Sequence, residues 1–247
     1  MIEPNLQGTY LVVIINKTEK IARLAYLFGL LGLFGLFLGI VISVLVEYIQ
    51  YGDKYSLLQF SLSELGTYNR SSTAILINGG LFFGSLSLTM SCIFGLQMSQ
   101  RLSGGLLWLS LIITFISLAA IGLFPLNVHH LHIQAVSIYI YFGFFSAALC
   151  IIECAIKRKA ALSMPFIFSG IILLIHGAIL SHEYWRESLG AKPISDGMLF
   201  QAIVSQSPKP EVWWLSILFW CSIVTMWLWM LSICRWYFLP HRQMKAN

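Results

Sequence analysis

Six long apolar runs constrain this chain more than any other feature. They cover roughly 24–48, 74–97, 105–126, 132–156, 163–181 and 212–237. A helix needs about 20 largely apolar residues to cross the hydrocarbon core of a bilayer. The expected fold is therefore all-α: a polytopic integral membrane protein with six transmembrane helices in one bundle. The third and fourth runs are separated only by a tight connection around Asn127 to Leu131. The expected division is an N-terminal segment 1–21, a six-helix domain 22–237 and a tail 238–247.

Composition excludes the main alternatives. Hydrophobic residues make up 58% of the chain and charged residues 10%, whereas soluble domains carry about 25% charge. Neither a water-soluble globule nor a disordered chain is built this way. The formal net charge is +5, but the basic residues are scattered at the ends of apolar runs. Without a basic patch, nucleic acid is not an expected partner.

The N-terminal stretch Tyr10 to Ile15 is apolar but too short to span, and Lys17, Lys20 and Arg23 precede the first long run. That order resembles the start of a signal peptide. The run exceeds the roughly 7–15 residues of a cleavable signal, and no small-residue cleavage site follows. A retained signal anchor is expected.

Charge sidedness then sets orientation. With the N-terminus inside, the inner side holds Lys17, Lys20, Arg23, Arg101, Lys157, Arg158, Lys159, Arg235, Arg242 and Lys245. The outer side holds only Lys54, Arg70, Arg186, Lys192 and Lys209. Lys and Arg favour cytoplasmic loops, so both termini are expected in the cytoplasm. The expected location is a plasma membrane or bacterial inner membrane. Trp213, Trp214, Trp236 and Tyr237 bracket the last run, as interfacial aromatic belts do.

Small residues mark close helix contacts. Gly35 and Gly39, and again Gly80 and Gly84, have the small-xxx-small spacing that lets backbones approach. Packing within the chain is the first expectation, and a homo-oligomer through the Gly35–Gly39 face is the alternative. The five cysteines lie inside apolar runs with no CxxC, so buried thiols are expected rather than disulfides or a thiolate metal site.

Two exterior loops are long. In the first, Tyr55 to Leu65 is expected to be re-entrant or interfacial, which is tolerated at depth only under protein cover. In the second, Met198, Leu199, Ala202 and Ile203 follow helical spacing after a Ser195–Asp196 cap. An amphipathic helix on the outer leaflet is expected there. Together these loops are expected to roof an outward-facing cavity. Asn69-Arg70-Ser71 also matches the N-glycosylation pattern on that side.

Polar groups gather at the same face. They are Asn127, His129, His130, His132 and Gln134 at the third junction, with Glu64, Asn78, His176, His182, Glu183 and Glu211. Three chemistries fit. His129 and His132, at i and i+3, are the weak metal candidates, although no HExxH is present. A histidine with a carboxylate is the usual proton-transfer pair, which makes Glu64, His132 and Glu211 the catalytic candidates. No G-x-S-x-G elbow marks a serine hydrolase. Binding without chemistry is the third, with a lipid headgroup held by Glu64, Asn78, His129, His132, His176 and Glu211. No cofactor is expected. In the last run, Trp220 and Trp227 are seven apart and share a face, as packing or lipid-facing residues do.

Several short motifs follow one another over about 22–237, and their order and spacing carry a family resemblance. They are Ser63-Glu64-Leu65-Gly66, then Asn78 and Gly84, then Gly122-Leu123-Phe124-Pro125, then His132, and finally Glu211 with Trp220. With these the chain resembles domain-of-unknown-function family 998 of six-helix membrane proteins. It is more distantly similar in layout to the damage-regulated autophagy modulator and GPI-lipid-remodelling membrane family. The resemblance implies a six-helix fold and hints at lipids, without supplying a reaction. The resulting expectation is a lipid-handling or lipid-binding membrane protein. In its outward-facing site Glu64 and Glu211 would orient His132, and Pro125 would fix the turn that places it. The alternatives are a hydrolase or transferase acting on lipid, and a non-catalytic scaffold or assembly factor.

Overall fold

The computed structural model of the chain describes residues 6–52, 59–156, 163–188, 198–205 and 210–239, and within these it leaves out the side chains of 6–16, 183–188 and 198. Every regular element among the described residues is helical. Helix α1 spans Leu6–Tyr51, α2 Leu62–Leu65, α3 Ala74–Met98, α4 Leu102–Leu123, α5 His129–Ile156, α6 Met164–Ser188, α7 Met198–Val204 and α8 Trp214–Ile233. A 3₁₀ turn, Leu126–Val128, leads into α5, and a π turn, Cys234–Phe238, extends α8. Six of the helices are long and apolar enough to cross a membrane. Their outward surface carries large apolar side chains such as Leu31, Phe34, Ile75, Phe83 and Leu174. Such a surface is suited to lipid.

One difference concerns α1. The short apolar stretch before Lys17 and the first long run form a single helix of 46 residues. At 1.5 Å per residue this is about 69 Å, more than twice the roughly 30 Å of a hydrocarbon core. No proline interrupts residues 6–51, so the helix continues past the charged residues.

The long helices form a ring in which each packs on the next: α1 on α3, α3 on α4, α4 on α5, α5 on α6, α6 on α8. The ring closes where α8 and its π turn meet α1, a far lighter contact than that of α1 with α3. The tight α1–α3 contact follows from glycine. A Cβ on Gly39 would lie 2.9 Å from the Gly80 Cα, and one on Gly35 3.4 Å from the Gly84 Cα. The Gly35–Gly39 face is thus occupied by α3 of the same chain, and a second copy using it would have to displace α3. Hydroxyls stitch α4 to α5, with Ser146 Oγ donating to Ser110 Oγ at 2.9 Å. Such bonds stand in for the hydrophobic force that is absent between helices in lipid. Trp108 fills the far end of the ring, stacked 5.5 Å from Phe238 and edge-on at 5.0 Å to Tyr237. All five cysteines are free, and Cys221 is exposed rather than buried.

The two short helices close one end of the ring. Ser61 heads α2 with a full capping box: its Oγ accepts from Glu64 N at 3.1 Å, and its own N donates to Glu64 Oε2 at 3.2 Å. All four α2 residues are buried, so the described end of this apolar loop is an internal helical turn capped by Ser61. Helix α7 differs from the expected surface helix. Leu199, Phe200, Ile203 and Val204 are buried, and α7 packs on α5, α8 and α2. Its apolar face meets protein rather than an outer leaflet. Trp213, expected in an interfacial belt, is also buried and donates Nε1–H to the Ala202 carbonyl at 2.7 Å. Trp214 beside it is exposed. The Ser195–Asp196 cap, residues 55–58 and the Lys157–Lys159 run lie outside the described residues.

Candidate functional site

The site at the roofed end begins with a proline. Helix α4 stops at Leu123, because Pro125 has no N–H to continue it and restricts the residue before it. Phe124 accordingly leaves the helical region, at φ −108° and ψ 84°. Its carbonyl turns to His132 Nδ1 at 2.7 Å. The His132 Nε2 lies 2.8 Å from Ser63 Oγ. A carbonyl only accepts, so Nδ1 carries the proton. In the neutral ring Nε2 is then the acceptor, and the Ser63 hydroxyl donates to it. Both side chains are buried.

Three further contacts fix the same turn. Arg70 Nη1 lies 2.6 Å from Glu64 Oε1, with the carboxylate buried and the guanidinium side chain 45% exposed. Asn78 Nδ2 donates to the Gly66 carbonyl at 2.8 Å. A Cβ on Gly66 would collide with Asn78 Oδ1, so the glycine lets α2 settle on α3. Asn127 clamps the loop after α2, accepting from Tyr68 N at 2.9 Å and donating to its carbonyl at 3.3 Å. Ser61 Oγ also donates to the Val204 carbonyl at 2.7 Å, tying α2 to α7.

Ser63, Glu64, Gly66, Asn78, Phe124 and His132 therefore meet in one place. The carboxylates expected to orient His132 do not: its ring nitrogens lie against the Phe124 carbonyl and the Ser63 hydroxyl instead. Glu64 faces the α2 N-terminus and Arg70 instead. Glu211 is exposed, and its backbone carbonyl accepts from Gln59 Nε2 at 3.4 Å. His129 does open α5 one turn before His132, yet it is exposed. No group of three or more His, Cys, Asp or Glu able to hold a metal occurs among the described residues. The Glu183 side chain lies outside them.

His176 belongs elsewhere. Its Nε2 lies 2.6 Å from Ser222 Oγ, which is 3.0 Å from Tyr139 Oη. Its Nδ1 is buried without a partner. Tyr139 follows His132 by seven residues on α5, so this cluster sits about 10 Å deeper along the helix. The sequence distance of His176 from the end of α6 hid this, because α6 runs on to Ser188.

Sequence reasoning also missed two features. A second pocket of about 190 Å³ is lined by Glu47, Tyr51, Phe60, Glu64, Leu65, Arg70 and Ser71. Glu47 is 4% exposed and its Oε1 has no hydrogen-bond partner. A lone carboxylate within an apolar run was the available signal. Deeper down, an apolar cavity of about 250 Å³ separates α1 from α8. Its walls are Leu36, Phe37, Ile40 and Val41 on one side and Ile223, Val224, Trp227 and Leu228 on the other. Phe37 and Val224 are exposed at its mouth. Trp220 and Trp227, on the shared α8 face, tie α8 to the segment before α2 and to α1, respectively. They donate Nε1–H to the carbonyls of Phe60 at 3.0 Å and Leu33 at 2.8 Å.

No family model, no curated protein and no solved structure matches this chain.

Proposed function

We propose that this protein binds a membrane lipid, holding an acyl chain in the α1–α8 cleft and the headgroup at the roofed end. The observation that carries the reading is the apolar cleft itself, reached from the ring's outer surface past Phe37 and Val224. Lipid sites pair an apolar slot with a few placed polar groups; here Glu47 lies farther along α1, and Glu64 and Arg70 lie in and after α2 beside it. The sidedness of lysine and arginine supports a roofed end on the outer face with both termini in the cytoplasm, and a plasma membrane or bacterial inner membrane is the proposed location.

The test is native mass spectrometry of the protein released from mild detergent, beside Val41→Trp and Val224→Trp, which fill the cleft. The wild type should retain lipid and both variants should lose it while staying folded. Equal retention by all three would overturn the cleft as the binding place.

A second reading, a lipid hydrolase or transferase, rests on the Ser63–His132 pair. The geometry is that of a serine whose proton a histidine can take, with a backbone carbonyl where a carboxylate would orient the ring. Loss of an outer-face esterase activity in Ser63→Ala, with lipid retention unchanged, would favour it over binding alone.

A further inference from the structure

The chemistry of the headgroup follows from one face of α1. Leu36, Ile40, Ser43 and Glu47 are spaced by four, three and four residues, so they share a single stripe along the helix. Leu36 and Ile40 line the apolar cleft, and Glu47 lines the pocket at the roofed end. Between them Ser43 is fully buried, and its Oγ has no hydrogen-bond partner. The stripe thus carries apolar side chains, then a hydroxyl, then a carboxylate, over about 16 Å of helix. That is the order of a phospholipid read from its chain through the ester region to its headgroup.

The pocket specifies the charge. Glu64 is committed to Arg70, whereas Glu47 Oε1 accepts nothing. Among the described residues lining the pocket, two carboxylates face one guanidinium, an arrangement that favours a cationic ligand. A buried acceptor needs an N–H or O–H donor as well as a positive charge. A primary ammonium supplies both. A quaternary ammonium has the charge but no N–H, and a headgroup without a cation is repelled. Arg70 engages Glu64 through Nη1 and keeps nearly half of its side chain exposed, so its remaining N–H groups are free to meet a phosphate at the pocket's edge.

Resting on the lipid-binding reading above, we propose that Glu47 binds the primary ammonium of an ethanolamine-type phospholipid, with Arg70 facing its phosphate. The experiment uses the full chain in mild detergent with dioleoyl lipids carrying ethanolamine, N-methylated ethanolamine, choline or glycerol headgroups, read by native mass spectrometry. Retention should fall stepwise as N–H groups are replaced by methyl groups, with ethanolamine favoured over choline by about tenfold. Glu47→Gln should bring the two to parity. Equal retention of all four headgroups by the wild type would overturn the ammonium assignment and leave the cleft reading intact. An ethanolamine preference that persists in Glu47→Gln would overturn the role of Glu47. No retained lipid of any kind would overturn both readings. Soluble phosphoethanolamine binding as well as the lipid would show that the pocket serves an aqueous ligand. The methylation series needs only the wild type, so the assignment stays testable if Glu47→Gln misfolds.

Discussion

Ser63 and His132 stand 69 positions apart in the sequence and meet at 2.8 Å, hydroxyl to imidazole, under the roof of the helix ring. The ring is locked from behind by the Phe124 carbonyl, which Pro125 frees from α4. This contact joins the turn after α1 to the α4–α5 junction, and so holds the roof to the ring.

Removing either partner leaves the other buried without it. Ser63→Ala and His132→Ala should each lower stability by roughly 1–3 kcal/mol. The double variant should cost less than the two single losses added together, because the groups share one interaction. Thermal unfolding in detergent measures all four proteins. Full additivity would mean that the hydrogen bond contributes nothing.

Gly66 tests the seat of α2 on α3. Its φ of −83° suits any residue, so a Gly66→Ala penalty can come only from the collision with Asn78. The expected loss is about 1–3 kcal/mol, as for other overpacked positions. In an Asn78→Ala background, Gly66→Ala should cost much less.

The α1–α3 seam offers a matched pair of substitutions. Gly39→Ala places a methyl 2.9 Å from the Gly80 Cα and 3.0 Å from the Leu76 carbonyl, and should destabilise by about 1–3 kcal/mol. Gly79→Ala meets nothing within 4 Å and should be neutral or gain up to about 1 kcal/mol of helix propensity. Melting temperatures in one detergent compare them directly.

Orientation is read by labelling. With Cys221 replaced by Ser, Ser72→Cys should react with an impermeant maleimide from outside intact cells. Arg158→Cys should react only after lysis. Labelling of both from one side would overturn the topology.

Much of this architecture is legible in the sequence, because crossing a bilayer demands length and apolarity, and both are local properties. The six spans, the glycine spacing and the turn at Pro125 follow from such properties. The partners of polar residues do not. Glu64 and Glu211 looked like the natural partners of His132, yet Ser63 reaches it, because the capping box turns Glu64 back on its own helix. His176 looked superficial by its position in the chain, but pairs with Ser222 and Tyr139 a helix-depth below the roof. Helix α7 looked amphipathic and is, although its apolar face belongs to α5 and α8 rather than to lipid. Each of these depends on which helices become neighbours, and no periodicity in a single segment reports that.

The central claim is that a lipid chain occupies the cleft between α1 and α8. A phospholipid with a photoreactive group near the middle of its acyl chain, crosslinked in vesicles and mapped by peptide mass spectrometry, tests it most directly. The account predicts adducts concentrated at residues 36–41 and 223–228, suppressed in Val224→Trp. Adducts spread evenly over lipid-facing positions such as Leu31, Phe83 and Leu174, and unchanged by Val224→Trp, would contradict it.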